Sequence, residues 1–416
     1  MNNIAKFFSI ISCVLFAQDD FFESGYSIGG YGELHYNQSK IRNEDPTKKL
    51  DFHRFIIYYG YNWTEKWSFK SEMELEHNYV ASGEYEPDCS TNTGYGELEL
   101  EQAFVNYHTD KFGFQAGVIL PSVGLINEYH EPPLFVSVER PEYNKYVIPT
   151  TWFGNGFAIY GTMSGLNWRF ALMEDMEGES IGAGIRSGRG KGYNTNASDW
   201  VKNLSVNYLG VTGLRVGGSY TFNNAPIDDN LSSTVFFGLS EFNLKYDAKN
   251  IYTVFEYGNI AYKNNPDGYT SSGGYYIDLG YNVSGLVGLE GKLMPWLRMS
   301  DYNRGTTDGT VNADKHYTIQ RFGITYWPIS NVAFKFDYGI KYKHIRYNYP
   351  DIFPIEGESR PDLDIINESN LIFILVNDFL ISLAVFKEIS CSSLKPPSKI
   401  KIFFIKLLIF LFPIQV

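Results

Sequence analysis

One stretch of the sequence concentrates ionisable side chains in a rigid frame. Residues 128–152, EYHEPPLFVSVERPEYNKYVIPTTW, hold four prolines, at positions 132, 133, 141 and 149. Prolines restrict the conformations of a loop, so the charged groups between them are held at fixed positions. Fixed charges along an aqueous passage can discriminate between ions or polar solutes. The candidate functional residues of this stretch are Glu128, His130, Glu131, Glu139, Arg140 and Lys145.

Three roles are open for Glu128, His130 and Glu131. They could bind a metal ion, but no second histidine or cysteine stands at ligand spacing, so we predict no metal and no cofactor. They could contact a solute, or they could tie the loop to neighbouring structure through hydrogen bonds and ion pairs. Glu139 and Arg140 are open to two interpretations, a charged pair that faces a solute or an ion pair that fixes the loop.

The elements that must position this stretch are short strands. Apolar or aromatic residues alternate with charged residues or glycine in VAFKFDYGIKYK, residues 332–343, and similarly in WSFKSEMELEH, residues 67–77. A period of two with one charged face indicates a strand and not a helix. The other predicted strands span 26–36, 50–61, 94–108, 112–120, 156–163, 166–173, 204–209, 214–223, 234–246, 251–262, 273–283, 286–299 and 316–327, with a sixteenth near 369–379.

The predicted connections alternate in length along the chain. Brief turns at one end and long loops at the other are typical of an up-and-down antiparallel β-barrel in an outer membrane. An even strand number, here about 16, closes such a barrel around an aqueous lumen. The long connections are 37–49, 81–93, 121–155, 174–203, 224–233, 263–272, 300–315 and 348–367, and the tight turns are 62–66, 109–111, 164–165, 210–213, 247–250, 284–285 and 328–331.

The charged stretch falls in the third long connection, residues 121–155. We predict that this external loop folds into the barrel and forms a constriction, because a passage that filters solutes needs charged groups at fixed positions. The fold class predicted from the sequence is therefore all-β, a transmembrane antiparallel barrel with an inward-folded third loop.

The composition fits a membrane barrel but does not by itself exclude a soluble β-sandwich. Tyrosine (32), phenylalanine (31) and glycine (39) are abundant, while the mean hydropathy is only −0.23. A barrel combines these properties because half of its strand residues face water. The alternating connection lengths favour the barrel, since a sandwich has no reason to obey them.

The two ends of the chain differ from its body. MNNIAKFFSIISCVLFAQDD places Lys6 before an apolar stretch and Ala17 before the polar Gln18, which is the order of a secretory signal. We predict a signal peptide over 1–18 and the barrel over 19–379. Beyond residue 379 the alternation is lost, and we interpret 380–416 as a non-native extension, with an interfacial helix as the alternative.

The lumen-facing positions of the predicted strands carry charges of both signs. Acidic positions cluster on the N-terminal strands, whereas basic positions are scattered over many strands. Such a segregated field can orient dipolar solutes in a diffusion pore. The predicted pore-lining residues are Arg54, Lys70, Glu72, Glu74, Glu76, Glu97, Glu99, Glu101, Arg169, Arg215, Lys245, Lys292, Arg321, Lys335, Lys341 and Lys343.

On the opposite face, aromatic residues should mark the boundaries of the lipid. The candidates for these aromatic girdles are Trp67, Tyr95, Phe112, Trp168, Tyr275, Trp327 and Tyr342.

Other classes of function receive less support from the sequence. The net charge of −12 argues against nucleic acid as a partner. None of the seven histidines lies in a serine-containing motif such as G-x-S-x-G, so we predict no enzymatic activity, with a membrane-barrel hydrolase as an alternative. The connection 174–203 is predicted to be a mobile surface loop, and an adhesin that binds through this loop is another alternative.

Residues 115–161 resemble the phosphate-selective porin O and P family of Gram-negative outer membranes. The resemblance implies a homotrimer of sixteen-stranded channels that pass small anionic or polar solutes. It rests on Gly117, Pro121, Gly124 and Asn127 at the entry of the loop, on His130 to Pro133, on Glu139 and Arg140, on Ile148 to Trp152 at the exit, and on HRF at 53–55 and SEMELEH at 71–77.

The chain departs from that family in its charge pattern. Selective phosphate channels of the family carry a dense ladder of arginine and lysine along the lumen, whereas the N-terminal lumen positions are acidic here. We therefore predict passive diffusion of small hydrophilic solutes and ions, with an anion- or phosphate-selective porin as the alternative. The predicted location is the outer membrane of a Gram-negative bacterium, in contact with its lipid.

Overall fold

The structure, a computed structural model, describes residues 24–41, 44–78, 96–193, 195–228, 231–344 and 363–376, and of the last range only the backbone. The predicted signal peptide and the interpreted non-native extension lie outside the described residues. The strands are β1 (Gly25–Ile41), β2 (Thr47–Asn62), β3 (Trp67–Glu76), β4 (Leu98–His108), β5 (Phe112–Ile119), β6 (Gly154–Met163), β7 (Leu166–Met173), β8 (Val201–Val211), β9 (Leu214–Pro226), β10 (Thr234–Ala248), β11 (Ile251–Lys263), β12 (Ser271–Tyr281), β13 (Lys292–Thr307), β14 (Thr310–Val311), β15 (His316–Ile329), β16 (Val332–His344) and β17 (Leu363–Val376).

The strands form one antiparallel sheet that closes on itself. Each long strand pairs with its neighbours in the chain, and the two-residue β14 only extends the β13–β15 hairpin. β1 pairs with β2 along one edge and with β17 along the other, from Tyr31 opposite Val376 to Ile41 opposite Ile366. The sixteen long strands therefore make a closed up-and-down barrel, and the predicted fold class is confirmed.

Helical structure is confined to single turns, and no helix among the described residues is long and apolar enough to cross a membrane. The short helices are Pro132–Leu134, Tyr143–Tyr146, Gly178–Ser180, Arg186–Gly188, Ser284–Val287 and Ala313–Lys315.

The two faces of the strands have the reverse of the polarity found in a soluble protein. Leu204 and Phe322 point outward and are 51% and 57% exposed, whereas the inward-facing Glu256 and Asp337 have no exposed surface. A strand that presents apolar groups to its surroundings and ionisable groups to its interior is typical of a barrel in lipid. The alternation read from the sequence is the direct cause of this arrangement.

Outward-facing aromatic residues gather near the short turns. Trp67 packs against Tyr107 with ring centroids 4.9 Å apart, and Tyr107 lies 6.3 Å from Phe112. Trp168 and Tyr275 are also exposed, as predicted. The prediction is wrong for Trp327. This residue lies two positions after the buried Thr325 on β15, so it faces the interior of the barrel, where it packs on the core. Tyr95 lies outside the described residues.

The predicted connection lengths are wrong in three places. Residues 37–41 and 47–49 continue β1 and β2, and residues 300–307 continue β13, so these loops are shorter than predicted. Polar residues occupy both faces there, which removes the hydropathy signal of a strand. Conversely, the tight turn predicted at 284–285 is a ten-residue connection, 282–291, built around the helix Ser284–Val287.

The connection between β5 and β6, residues 120–153, folds into the barrel and is named the inner loop below. Trp152 packs against Phe237 of β10 with ring centroids 6.4 Å apart, and Tyr143 packs against Tyr276 of β12 at 5.7 Å. Both loop residues are buried, together with Val123. Each fully buried side chain of this size contributes about 1.5–3 kcal/mol, so apolar contact holds one side of the inner loop to β10–β12.

The connection 174–200 also folds inward, which contradicts the prediction of a mobile surface loop. Met176, Ile181 and Ile185 are at most 2% exposed and belong to the same core as the inner loop. Glycine makes this close approach possible: a Cβ on Gly178 would lie 2.5 Å from the carbonyl oxygen of Ala225.

Candidate functional site: the inner loop and its two cavities

Asn127 closes the neck of the inner loop. Its amide nitrogen donates to the carbonyl oxygens of Pro121 (2.8 Å) and Trp152 (3.2 Å), and its Oδ1 accepts from the amide of Trp152 (2.9 Å). On the wall, the Asn203 side chain accepts from the amide of Ser122 at 3.0 Å and donates to its carbonyl at 3.2 Å. The loop therefore leaves and re-enters the wall at one fixed point.

Lys335 anchors the middle of the inner loop to β16. Its ammonium is buried and donates to the carbonyl oxygens of Pro132 (2.5 Å), Phe135 (2.7 Å) and Ser137 (2.9 Å). The Asp337 carboxylate accepts from the amide of Val138 at 2.8 Å. Lys335 was predicted to line the pore, but the structure places it beneath the loop, where its charge is satisfied by three carbonyl dipoles.

Two loop-anchoring contacts involve glutamates. Glu256 of β11 accepts from the side chain of Asn144 at 3.0 Å and from the amide of Leu125 at 3.2 Å. Glu142 of the loop accepts at 2.5 Å from the Tyr302 hydroxyl and also from the Lys341 ammonium. Groups from three strands therefore hold successive points of the loop, since Lys335 and Lys341 lie on β16, Glu256 on β11 and Tyr302 on β13.

His130 holds the charged side of the loop to the acidic strands. Its Nε2 lies 2.8 Å from Glu101 and 3.6 Å from Glu72, its Nδ1 lies 3.0 Å from the Asn127 carbonyl, and it is 1% exposed. Burial by itself would lower the pKa of His130, but the Glu101 and Glu72 carboxylates raise it to about 9. At neutral pH the histidine is therefore a cation that neutralises two buried carboxylates.

This clamp predicts a pH dependence of stability. Because the pKa of His130 is raised from 6.5 to about 9, its contribution is fully present below about pH 6.5 and is lost as the pH rises through 9. We expect the free energy of unfolding of the wild type, measured by guanidinium titration, to fall between pH 6.5 and 10 by on the order of 3 kcal/mol.

His130→Gln should lack that component of the pH dependence, and the measurement is the difference between variant and wild type. His108→Gln is the matched control, since His108 is exposed at the end of β4 and lies outside the histidine clusters of the described chain. Identical pH profiles for wild type and His130→Gln would contradict the clamp.

Glu139 and Arg140 do not form a pair with each other. The Glu139 carboxylate accepts from the His35 ring at 2.9 Å and from the Asn37 amide at 3.3 Å, both on β1. Burial would raise the pKa of Glu139, but the His35 hydrogen bond and charge lower it well below its usual range. Arg140 forms no salt bridge within the described part of the chain, and its Nη2 is buried without a hydrogen-bond acceptor there.

The acidic positions of β1–β4 are largely neutralised by cations. Arg54 lies 2.9 Å from Glu33, 3.2 Å from Glu74 and 4.0 Å from Glu76, and His130 neutralises Glu72 and Glu101 as described above. The sequence suggested an open acidic wall at these positions; the structure places Glu72, Glu74 and Glu101 at 1% exposure, between the strands and the loop.

Two further acidic residues pair with loop 174–200. Lys191 lies 2.8 Å from Glu97 and also contacts Glu99. Arg186 and Arg189 of the same loop donate to the Thr150 carbonyl of the inner loop, at 2.7 and 2.9 Å. Burial and the neighbouring Arg186 lower the pKa of Arg189, but only to about 10, so the Arg189 guanidinium is charged at neutral pH.

The remaining acidic loop residues face the end of the barrel that carries the short turns. Glu128 contacts the Ser122 hydroxyl and lies 3.6 Å from Arg169 of β7. Glu131 accepts from the Tyr58 hydroxyl at 3.4 Å. Glu128, His130 and Glu131 therefore point to three different partners and do not converge on one ion.

Two cavities lie on either side of the inner loop. The loop-end cavity, at the end with the long loops, has a volume of about 640 Å³, and the turn-end cavity, near the short turns, about 600 Å³. The loop-end cavity is lined by three glutamates, Glu76, Glu139 and Glu142, and by eight lysines and arginines, Lys49, Arg54, Arg140, Lys145, Arg186, Arg298, Arg321 and Lys341. The turn-end cavity is lined by Glu128 and by Lys70, Lys111, Arg169 and Arg215.

Two of the predicted pore-lining residues outside these cavities, Lys292 and Lys245, have local partners. Lys292 pairs with Asp247 at 3.0 Å and lies over the Trp327 ring. Lys245 donates to the Leu134 carbonyl at 3.2 Å. Lys343 is half-buried near the end of β16.

Sequence reasoning missed several residues that matter to the loop. Asn203 was assigned no role, and Glu256, Asp337 and Tyr302 were not singled out. A signal was present for Glu256: it is a single carboxylate among the apolar inward positions of β11, such as Val254 and Ile260. A lone carboxylate on an apolar inner face needs donors from another element.

No profile of a known protein family matches the sequence. A protein of Aquifex aeolicus (strain VF5) described as uncharacterized is 29% identical over 354 residues, which cover 79% of this chain and 77% of that protein. The resemblance to phosphate-selective porins therefore stays a prediction.

The fold itself has solved counterparts. An anion-selective porin from Comamonas acidovorans superposes with a TM-score of 0.55 at 10% identity, covering 85% of this chain and 100% of that one. OmpF of Salmonella typhi in complex with daunomycin gives 0.55 at 12%, covering 84% and 97%. OmpT, an outer membrane protein of Vibrio cholerae in a trimer form, gives 0.50 at 12%, covering 85% and 100%. The chain has the fold of outer-membrane porins.

Proposed function

We propose that the protein is a passive outer-membrane channel for small hydrophilic solutes, narrowed by the inner loop and more permeable to anions than to cations. The observation that carries the proposal is the inner loop, anchored inside a closed barrel at fixed points by Lys335, Glu256 and His130. Anchoring at successive points gives the reproducible geometry that a filter requires.

Polar groups along the gap between the inner loop and β1–β4 support an aqueous passage. The Arg140 Nη2, the Glu131 Oε2, the Glu74 Oε2 and the Tyr31 hydroxyl are buried without a hydrogen-bond partner in the described part of the chain. In a dry interior each such atom would cost about 1–3 kcal/mol. Water in the gap removes this cost, and a wet gap is a route for solutes.

The charges of the two cavities support a preference for anions. Basic side chains outnumber acidic ones eight to three in the loop-end cavity and four to one in the turn-end cavity. A lumen with an excess of fixed positive charge concentrates anions and repels cations. Four of the eight basic groups already pair with carboxylates: Arg54, Arg298, Arg321 and Lys341. The other four, Lys49, Arg140, Lys145 and Arg186, form no salt bridge within the described residues, so the loop-end cavity keeps an excess of positive charge.

The remaining features of the proposal rest on the fold. The apolar outer face suits lipid and supports a location in the outer membrane of a Gram-negative bacterium. The Vibrio cholerae protein of similar fold exists in a trimer form, and we infer a homotrimer here as well. Diffusion through a fixed passage needs no cofactor and no catalytic residue, so the protein is proposed not to be an enzyme.

The test is the reversal potential of single channels in a planar bilayer under a tenfold KCl gradient. We expect steady ohmic currents whose reversal potential has the sign for chloride permeability above potassium permeability. An excess of potassium permeability would contradict the anion preference. The absence of channels from correctly folded protein would contradict the transport function and favour a binding or enzymatic role. Block of the current by inorganic phosphate would define a narrower, phosphate-selective channel.

A further inference from the structure

Six of the seven histidines lie in clusters with carboxylates, although no histidine motif is visible in the sequence. His130, with Glu72 and Glu101, is explained by the loop clamp. His35 is explained by its contacts with Glu33 and Glu139. The cluster of Asp301, His316 and His344 holds no part of the inner loop.

This cluster, named the Asp301 cluster, is built on three neighbouring strands near the end with the long loops. Asp301 lies on β13, His316 begins β15 and His344 ends β16. Asp301 is opposite Thr318 in the β13–β15 register, and His316 and His344 follow the Tyr317–Lys343 pair of β15 and β16. Side chains so placed on one face of a sheet are within contact distance.

The ligand atoms of the cluster converge on one point. The His316 Nε2 lies 2.9 and 3.1 Å from the two Asp301 oxygens. The Thr318 hydroxyl lies 2.6 Å from Asp301 and 3.1 Å from the His344 Nε2. The Nε2 of His316 therefore points to the Asp301 carboxylate, and the Nε2 of His344 points to the Thr318 hydroxyl. The potential ligand atoms of Asp301, His316 and His344 all lie within 4.8 Å of one another.

The cluster combines two stacked rings with a carboxylate that pairs with neither lysine nor arginine among the described residues. The imidazoles are stacked with centroids 4.0 Å apart and an angle of 10° between their planes. Within the described part of the chain no lysine or arginine forms a salt bridge with Asp301. Its charge is therefore available to balance a cation.

We propose that Asp301, His316 and His344 form a binding site for a divalent late first-row transition-metal ion, with Zn²⁺ as the reference ion. Two neutral imidazoles and one carboxylate are a ligand set for such ions, and the Thr318 hydroxyl or water completes the coordination. Ligand atoms around a tetrahedral Zn²⁺ are roughly 3.3 Å apart at bond lengths of about 2 Å. Binding therefore requires the His316 and His344 rings to rotate out of their parallel stack, so that the ion lies in the plane of both. The side chains of His316 and Asp301 are 25% and 33% exposed and His344 is half-buried, which leaves access from solvent.

The experiment is Co²⁺ binding to the purified full-length chain in detergent, followed by visible absorption, with the three cysteines replaced by serine so that thiolates do not contribute. We expect one saturable site per chain, displaced by Zn²⁺. His344→Ala and Asp301→Asn should weaken binding by more than about tenfold. The circular dichroism and the heat-dependent mobility of each variant report whether the barrel is folded.

Two control variants make the result specific. His108→Ala removes a histidine outside all the clusters, and His77→Ala removes a ligand from the separate Asp51, His53 and His77 cluster. Both should retain the Co²⁺ absorption band. Loss of the band in His77→Ala with retention in His344→Ala would overturn the proposal in favour of the other cluster. Absence of saturable binding by the folded wild type would also overturn it. Neither result bears on channel conductance.

Discussion

Lys335→Met is expected to release the middle of the inner loop from β16. The substitution leaves the carbonyl oxygens of Pro132, Phe135 and Ser137 without the buried ammonium that they now share. It also removes the contact of that ammonium with the Phe135 ring, whose centroid is 4.3 Å away. Loss of one member of a buried charged network costs about 3–5 kcal/mol. Here the loss destabilises the docked inner loop relative to the released loop.

Two readouts follow from the release of the loop. Amide hydrogen exchange at Val138, whose N–H is bound by Asp337, should accelerate by about 100-fold or more, because about 3 kcal/mol of local stability is lost. Single-channel currents should become larger and noisier, since the loop samples positions away from the wall.

Lys292→Met is the matched control for Lys335→Met. Like Lys335, Lys292 lies over an aromatic ring, and it pairs with Asp247, but its side chain is 34% exposed. An exposed pair contributes about 0–1 kcal/mol, so exchange and current should stay near wild type. Unchanged exchange at Val138 in Lys335→Met would show that the loop is held without this lysine.

The double substitution Arg140→Glu and Lys145→Glu is expected to remove most of the anion preference. Both residues lie on the inner loop and line the loop-end cavity, where eight basic residues face three acidic ones. The double variant would have six basic and five acidic residues there, so the fixed charge that concentrates anions nearly vanishes. The reversal potential in a KCl gradient should move to near zero or change sign.

Arg140 and Lys145 suit this test because neither supports the fold. Arg140 forms no salt bridge within the described residues, and the Lys145 side chain is exposed and lies over the Tyr146 ring. Lys48→Glu together with Lys40→Glu is a control of the same charge change, on exposed residues of β1 and β2 that do not line either cavity. A shift of equal size in that control would mean that surface charge, and not the lumen, sets the selectivity.

The strands that form the barrel wall were predictable because the alternation of apolar and polar residues is a local property of the sequence. Alternation in β3, β7 and β16 marks both the strand and the face that points inward, so the inward positions of Glu72, Arg169 and Lys335 followed from parity alone. Strand ends were less accurate. Residues 300–307 continue β13 beyond the part with an apolar outer face, and a strand that is polar on both faces has no periodicity to detect.

The site was predictable in its residues but not in its contacts. The density of proline and charge identified the inner loop, yet its anchors come from strands far away in sequence: Lys335 and Asp337 are about 200 positions from the loop carbonyls and amide they bind. Such partners depend on the register of the closed sheet, which the alternation of one chain segment does not define. The Asp301 cluster was hidden for the same reason.

The prediction of a mobile surface loop at 174–203 was wrong because a glycine-rich composition was taken as evidence of mobility. Its glycine-rich sequence suggested a flexible surface loop, but glycine also permits close packing. Met176, Ile181 and Ile185 are spaced among the glycines and are buried in the core with the inner loop. Three apolar side chains in a polar, glycine-rich segment were the available signal that it packs inward.

The central claim is that the inner loop lies in a water-filled lumen through which current flows. It is tested most directly by placing a single cysteine in the cysteine-free background, at Arg140 or at the outward-facing Leu204, and adding a charged methanethiosulfonate reagent during single-channel recording. Arg140→Cys should give discrete, reagent-dependent steps in current, and Leu204→Cys should give none. Steps at Leu204→Cys with none at Arg140→Cys would contradict the claim.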